Sequence, residues 1–169
     1  MLPPKIKRSK TPEQALSALM RLCARAEKST GDALRLMRTW GVDEAKHSAV
    51  LQQLLDLHFI DDTRFAEAFV RDKTKFSNWG AFKIRAALQH KGIDKQTIDN
   101  ALIQISKSDM DSRLTEHLTR KVRTIKYTTT YELKTKLIRY GLSLGYDYEA
   151  VMEAVAKQIN NTEECDDFI

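Results

Sequence analysis

Glycine, proline and cysteine are all scarce in these 169 residues: six glycines, three prolines and two cysteines. Cys23 and Cys165 are too few for a disulfide framework and suit a reducing compartment. The few glycines form no GxxxxGK[ST] or GxGxxG run, which excludes nucleotide binding through a glycine-rich loop. No apolar stretch approaches the roughly 20 residues that span a bilayer, and the basic start MLPPKIKRSKTP lacks the apolar core of a secretory signal. The expectation is a cytoplasmic protein without a membrane partner. Its four histidines, His47, His58, His90 and His117, are scattered, with no HExxH helix and no Cys/His cluster at zinc spacing. His58, between Leu57 and Phe59, reads as a histidine at the edge of a core. Glu116 and His117 are sequence neighbours, so on a helix they point in different directions. These absences predict no catalytic residue, no metal and no cofactor, and therefore a protein that is not an enzyme.

Helical periodicity fills the space left by those absences. With 42% hydrophobic and 30% charged residues the chain is expected to fold. From Leu51 to Arg71, Leu51, Leu54, Leu55 and His58 recur at helical spacing, and Phe65, Ala68 and Phe69 follow on a second helix. At the junction, Asp61 and Asp62 are placed to accept from the free N–H groups of that second helix and to favour its positive end. A metal reading would need further oxygen ligands, and none is near in sequence. Arg64 is placed to pair with one of the two carboxylates across the first turn.

Taken in order, the chain offers a helix from Pro12 through the run ending at Ser29, and a second over DALRLMRTW capped by Ser29 and stopped at Gly41. A third is expected from Glu44 to Phe59. The pattern repeats: Asp62 to about Lys75, AFKIRAALQHK stopped at Gly92, then a helix capped by Asp94 that carries Ile98, Ala101, Leu102 and Ile105. After the break ISKSDMD a third round carries Leu114, Leu118 and Val122, then a helix with Thr129 and Glu132 as a capping box and Gly145 as its stop. Glu149 to Ile159 forms the last helix. MRTWGV, LQHKGI and GLSLGY align on Gly41, Gly92 and Gly145, each followed by a bulky apolar residue and, ten positions on, by Leu51, Leu102 or Val155. Such a period is the mark of a helical repeat array. The expected fold is all-α, three tandem three-helix repeats stacked into an elongated, curved, right-handed-type array. Its expected divisions are a flexible basic arm over 1–11, repeats over 12–60, 61–105 and 106–160, and an acidic tail over 161–169. Gly141 is expected to interrupt the short helix of the third repeat.

Charge is unevenly spread. From Arg113 to Arg139 eight Lys and Arg oppose two Glu, whereas from Tyr140 onward Lys157 alone opposes seven acidic residues. The candidate polyanion-binding residues are Lys83, Arg85 and Lys91 in the middle repeat, and Arg120, Lys121, Arg123, Lys126, Lys134, Lys136 and Arg139 in the third. Lysines and arginines of this kind give sequence-independent, salt-sensitive phosphate contacts. Tyr127, Tyr131 and Tyr140 are interleaved with them and could stack on bases or belong to core and caps. Solvated helix faces are the alternative reading of the same charges.

The run FIDDTRFA, Phe59 to Ala66, followed by LQHKGI, Leu88 to Ile93, closely resembles the RecX family of bacterial recombinase regulators. The structural signature residues are then Asp61, Asp62, Arg64 and Phe65 with Gly41, Gly92 and Gly145. The first repeat departs from the family pattern, with Lys28 before Ser29 and Ala33-Leu34 after Asp32 where an Arg-Ser and a Glu-Leu are expected. The resemblance implies a protein that binds the RecA filament on single-stranded DNA, lodges in its groove and suppresses its ATPase, strand exchange and extension. It implies a role in DNA repair and the SOS response. The alternative is a helical-repeat nucleic-acid binder with no recombinase partner. Nothing in the sequence asks for more than a monomer.

Overall fold

The computed structural model describes residues 9–166, with side chains to Asn160. Most of the expected basic arm, and the side chains of the acidic tail, lie outside the described residues. Nine α-helices and no strand occur among the described residues: α1 (Pro12–Cys23), α2 (Thr30–Thr39), α3 (Glu44–Asp56), α4 (Asp62–Phe76), α5 (Ala81–His90), α6 (Lys95–Ile103), α7 (Lys107–Val122), α8 (Thr130–Ser143) and α9 (Tyr148–Asp166). The fold is all-α, and no described helix is long and apolar enough to cross a membrane.

Helix starts follow local chemistry. Thr11 and Gln14 form a capping box, with the Gln14 N–H donating to Thr11 Oγ1 at 3.3 Å and the Thr11 N–H donating to Gln14 Oε1 at 3.1 Å. Ser29 Oγ accepts from the Asp32 N–H at 3.1 Å to open α2, and Thr129 Oγ1 accepts from the Glu132 N–H at 3.1 Å to open α8. The reciprocal half of that last box is displaced by one residue: the Glu132 carboxylate accepts from Thr128 N–H at 2.9 Å, not from Thr129. Helix ends follow backbone geometry. Gly41, Gly92 and Gly145 have φ of 67°, 79° and 84°, a region that L side chains enter only with strain. The residue after each of them, Val42, Ile93 and Tyr146, is buried.

The chain divides into two compact units, residues up to Ala68 with Leu88–Ile98, and Phe69–Ala87 with Asp99 onward. In the first, α1, α2 and α3 close over Ala15, Leu19, Ala33, Met37, Val42, Val50, Leu54 and Ile60. Each of these helices presents a pair of residues four apart, which stack on one face. Leu54 is fully buried, and burying one such leucine contributes about 1.5–3 kcal/mol. In the second, α7, α8 and α9 repeat the arrangement with Leu114 and Leu118, Leu133 and Leu137, and Val151 and Val155. Helices α4, α5 and α6 bury Ala66 and Val70, Ile84 and Leu88, and Ile98 and Ala101, each helix giving one part of its length to each unit.

Several expectations are corrected. The buried face of α4 is Phe65, Ala66 and Val70, and Ala68 and Phe69 are only half-buried. Ten residues after the glycine stops, Val155 is fully buried while Leu51 and Leu102 are half-buried, and the position one earlier, Val50, Ala101 and Ala154, is buried in all three. The first helix ends at Cys23, and α7 starts at Lys107, inside the expected break, because Ser106 Oγ caps it by accepting from the Asp109 N–H at 3.1 Å. His58 is exposed, and it ends α3 in a left-handed conformation at φ 57°, the role glycine has elsewhere. Gly141 does not interrupt α8. It is buried inside the helix, and a Cβ there would stand 2.9 Å from both methyls of Val151, so its absence lets α8 pack tightly on α9.

Candidate functional site

In the first unit the junction residues converge on the start of α2. Asp61 Oδ1 accepts from the Arg64 N–H at 3.0 Å and so caps its own helix. Asp62 instead reaches α2, accepting from the Thr30 N–H at 2.9 Å and from the Thr30 hydroxyl. Arg64 pairs with neither aspartate. Its guanidinium forks onto Glu27, Nε to Oε1 at 2.7 Å and Nη2 to Oε2 at 3.1 Å. On the other side of the α2 start, Ser29 Oγ donates to the Lys91 carbonyl at 2.9 Å. Lys91 Nζ stands 3.1 Å from both Asp32 carboxylate oxygens and 5.4 Å from the Phe65 ring centre. Burial pushes the Asp62 carboxyl up from its ordinary range. Burial also pushes on Asp32, but hydrogen bonds and charge from Lys91, with Arg35, outweigh it and hold that carboxyl below its ordinary range. Among the described residues no cluster of three metal-ligating side chains occurs.

Lys91, the one polyanion-binding candidate in this unit, has its charge shared with Asp32 and the Phe65 ring. The remaining nine candidates lie in the second unit. Arg85 pairs with Asp99, and Lys83 Nζ donates to the Ser143 carbonyl at 3.1 Å. Arg120 pairs with Glu116 one turn away. Lys136 bridges to Glu132 at 2.6 Å and donates to the Lys126 carbonyl at 2.8 Å, which ties the α7–α8 loop to α8. Lys136 and two bonds from Thr128 hold the Glu132 carboxyl down at about 2. Lys121 Nζ lies 5.1 Å from the Tyr140 ring centre. Arg123, Lys126, Lys134 and Arg139 have no ion-pair partner among the described residues, and all four are exposed. The end of α7, the loop and α8 therefore present a surface where lysine and arginine outnumber acids. Tyr131, 80% exposed, and Tyr127 belong to the same stretch. Such a surface can take phosphate oxygens at the cations and a base at an open ring face.

A second lysine–aromatic group was not singled out from sequence. Trp79 has Lys73 and Lys83 each 4.9 Å from its ring centre, and Phe69 meets it edge-on at 6.4 Å. The interleaving in KTKFSNWGAFK, residues 73–83, was the available signal.

Comparison with known proteins places the chain beside one family. Residues 61–102 match the family description "RecX, second three-helix domain", a segment that contains Asp62 and Lys91 but not their α2 partners Thr30 and Asp32. A regulatory protein RecX of Clostridium botulinum (strain Eklund 17B) is 33% identical over 138 residues, covering 80% of this chain and 63% of that protein. The Clostridium beijerinckii protein of the same name is 30% identical over 135 residues, 79% of this chain and 61% of its own. The chain thus spans less than two thirds of the length of these relatives. The crystal structure of RecX from Lactobacillus salivarius matches the fold with a TM-score of 0.77 at 19% identity, over 88% of this chain and 96% of that one. Another solved regulatory protein RecX gives a TM-score of 0.80 at 20% identity, over 86% and 73%. With residues 61–102 matching the family's second three-helix domain and relatives of that name aligning with four fifths of the chain, it belongs to the RecX family.

Proposed function

We propose that this chain is a regulatory protein without catalytic activity that binds the filament RecA forms on single-stranded DNA and restrains its ATP hydrolysis, strand exchange and extension. Its relatives carry the name of a regulatory protein, and the family resemblance supplies the recombinase. The observation on the molecule that supports it best is the surface of Arg123, Lys126, Lys134 and Arg139, four cations with no ion-pair partner among the described residues, beside the exposed Tyr131. Cations already committed to carboxylates would have to break those pairs before meeting DNA; these four would not.

The test is the ATPase rate of a filament preassembled on single-stranded DNA as the protein is titrated in. Inhibition well below the recombinase concentration is expected. Replacing Lys126, Lys134 and Arg139 by Glu should weaken inhibition at least tenfold, since several phosphate contacts are lost, with helical content unchanged. Lys136 is left in place because it holds the loop through Glu132 and the Lys126 carbonyl. An unchanged ATPase rate together with salt-dependent binding to bare DNA would favour the second reading, a nucleic-acid binder with no recombinase partner, which the same four cations also support.

A further inference from the structure

One cluster of the second unit is built from other elements than the α7–α8 surface. Between Phe69 and Ala87, five lysines and arginines oppose Asp72 alone. Arg85 pairs with Asp99, but Lys73, Lys75 and Lys83 have no carboxylate partner among the described residues. Two of these three converge on one ring: Lys73 and Lys83 are each 4.9 Å from the Trp79 ring centre. Both are already placed. Lys83 is tied by its bond to the Ser143 carbonyl at 3.1 Å, and Lys73 is also 5.4 Å from the Phe69 ring centre. A ring attracts an ammonium group through its face but is a weak hydrogen-bond acceptor, so Lys73 keeps its N–H groups for a stronger one. Two like charges on one ring with no acid beside them repel each other, and a bound anion removes that cost.

The exposed aromatic narrows the anion. Phe76, the last residue of α4, is 73% exposed, and Lys75 Nζ lies 5.4 Å from its ring centre. An open ring among lysines without acid partners is the composition of a single-strand platform, where cations take phosphates and rings take bases. An acidic peptide would use the lysines but brings no flat group to the ring. An anionic membrane would use both, yet Trp79, the side chain best suited to its interface, is half-buried with its ring engaged by Lys73, Lys83 and Phe69. In a duplex the bases are stacked on one another and cannot lie on a ring. We propose that residues 73–83 form a further, sequence-independent contact for single-stranded nucleic acid, with phosphates at Lys73, Lys75 and Lys83 and an unpaired base on the Phe76 ring. The contact needs the strand and not the recombinase. Its failure would therefore show in binding to bare strand, whereas failure of the filament reading would show in the ATPase rate.

The experiment measures binding of the full chain to a fluorescent oligothymidylate of about 15 nucleotides, within the range of single-strand site sizes, and to a duplex of equal length, over a series of salt concentrations. Phe76→Ala should weaken single-strand binding about tenfold, the loss of one stacked base, and leave duplex binding level. Lys73→Gln combined with Lys75→Gln should reduce the slope of log affinity against log salt by about 1.4, two phosphate contacts on a single strand. Far-UV circular dichroism of both variants should match wild type. A strand carrying 5-iodouracil gives a readout that needs no substitution: irradiation should cross-link it to Phe76, located by mass spectrometry of the peptides. Unchanged single-strand affinity and salt slope in the variants, with no cross-link between residues 73 and 83, overturns the site. An equal loss on strand and duplex in Phe76→Ala also overturns it, because stacking is then absent. Wild type that binds phosphatidylglycerol vesicles but not the oligonucleotide overturns it in favour of a membrane contact.

Discussion

Where α2 begins, Gly31 lies against the Lys91 carbonyl; where α5 begins, Gly80 lies against the Gly145 carbonyl. Each unit therefore contains one joint of the same design, a helix start set on a glycine stop with no room for a Cβ. The chemistry around the two joints differs. The first is polar and charged, with the Ser29 hydroxyl on the Lys91 carbonyl, Asp62 on Thr30, and Lys91 on Asp32. The second relies on the main chain: the Gly80 N–H donates to the Leu144 carbonyl at 2.7 Å, the Phe82 N–H to the Gly145 carbonyl at 3.0 Å, and Lys83 to the Ser143 carbonyl. Trp79 lies beside it between two lysines. The contrast shows what the sequence motif marks. Asp62, Phe65, Lys91 and Gly92, taken from FIDDTRFA and LQHKGI, all serve the first joint, so the motif builds a joint between helices.

The largest effect expected is at the glycines that face the stops. A Cβ on Gly31 would stand 2.6 Å from the Lys91 carbonyl carbon, and one on Gly80 would stand 2.5 Å from both the Gly145 carbonyl carbon and the Tyr146 nitrogen. Backbone cannot swing aside as a lysine tip can, so Gly31→Ala and Gly80→Ala should each cost about 3 kcal/mol or more. Native-state hydrogen exchange would locate the damage. Gly31→Ala should expose amides of α2 and residues 88–93, and Gly80→Ala those of 80–84 and 144–146. Cross-over of the two patterns would break the equivalence of the joints. Gly92→Val comes next, at about 1–3 kcal/mol, because φ of 79° strains a β-branched residue. A melting temperature equal to wild type in that variant would remove the left-handed stop from the account.

Much of this was readable from local pattern. Caps, glycine stops and the apolar residues after them are signals within a few residues, so Ser29, Thr129, Gly41, Gly92 and Gly145 could be assigned from spacing. What was not readable lies far apart in sequence. Asp62 meets Thr30 thirty-two residues away and Arg64 meets Glu27 thirty-seven away, and a helix-start aspartate followed by an arginine suggests only the nearer partners. Gly31, Gly80 and Gly141 carry no local signal for the same reason, since the atoms that forbid a Cβ there lie far away in sequence. The cationic surface was half-readable: charge density pointed to it, but which of its members are spent on Glu116, Glu132 or Asp99 is decided by geometry.

Removing the carboxylate of Asp62 tests the charged half of the comparison. Asp62→Ala leaves the Thr30 N–H and hydroxyl without that acceptor and should cost about 1–3 kcal/mol. Asp62→Asn, which can still accept from the N–H, should cost less than about 1 kcal/mol, because it also relieves the burial of a charge. Chemical denaturation at neutral pH measures both, and a larger loss in the Asn variant would mean that the charge itself holds α2.

The smallest effect, and the sharpest discrimination, comes from pH. Asp32 has a folded-state carboxyl held below its ordinary value of about 3.9, so its contribution is fully present above that value. It is lost as pH falls through the lower folded value. Asp62 has the opposite sign: its carboxyl is pushed up by burial, so its ionised form weakens the fold at neutral pH, and that cost disappears as pH falls through the raised value. Asp32→Asn should therefore lower stability at pH 7 by about 1 kcal/mol and converge with wild type in strong acid, whereas wild type should gain on Asp62→Asn as pH falls through the raised Asp62 value, because only wild type sheds the cost of a buried charge. The hydrogen bonds that set the α5 start on residues 143–145 use carbonyl acceptors, not carboxylates. Protection of the Gly80 and Phe82 amides, corrected for intrinsic exchange, should then stay level from about pH 7 to 4, while that of the Thr30 amide changes as Asp62 takes up its proton. Equal pH dependence at both joints would show that the charged groups around α2 are ornament on a main-chain joint of the same kind as the second.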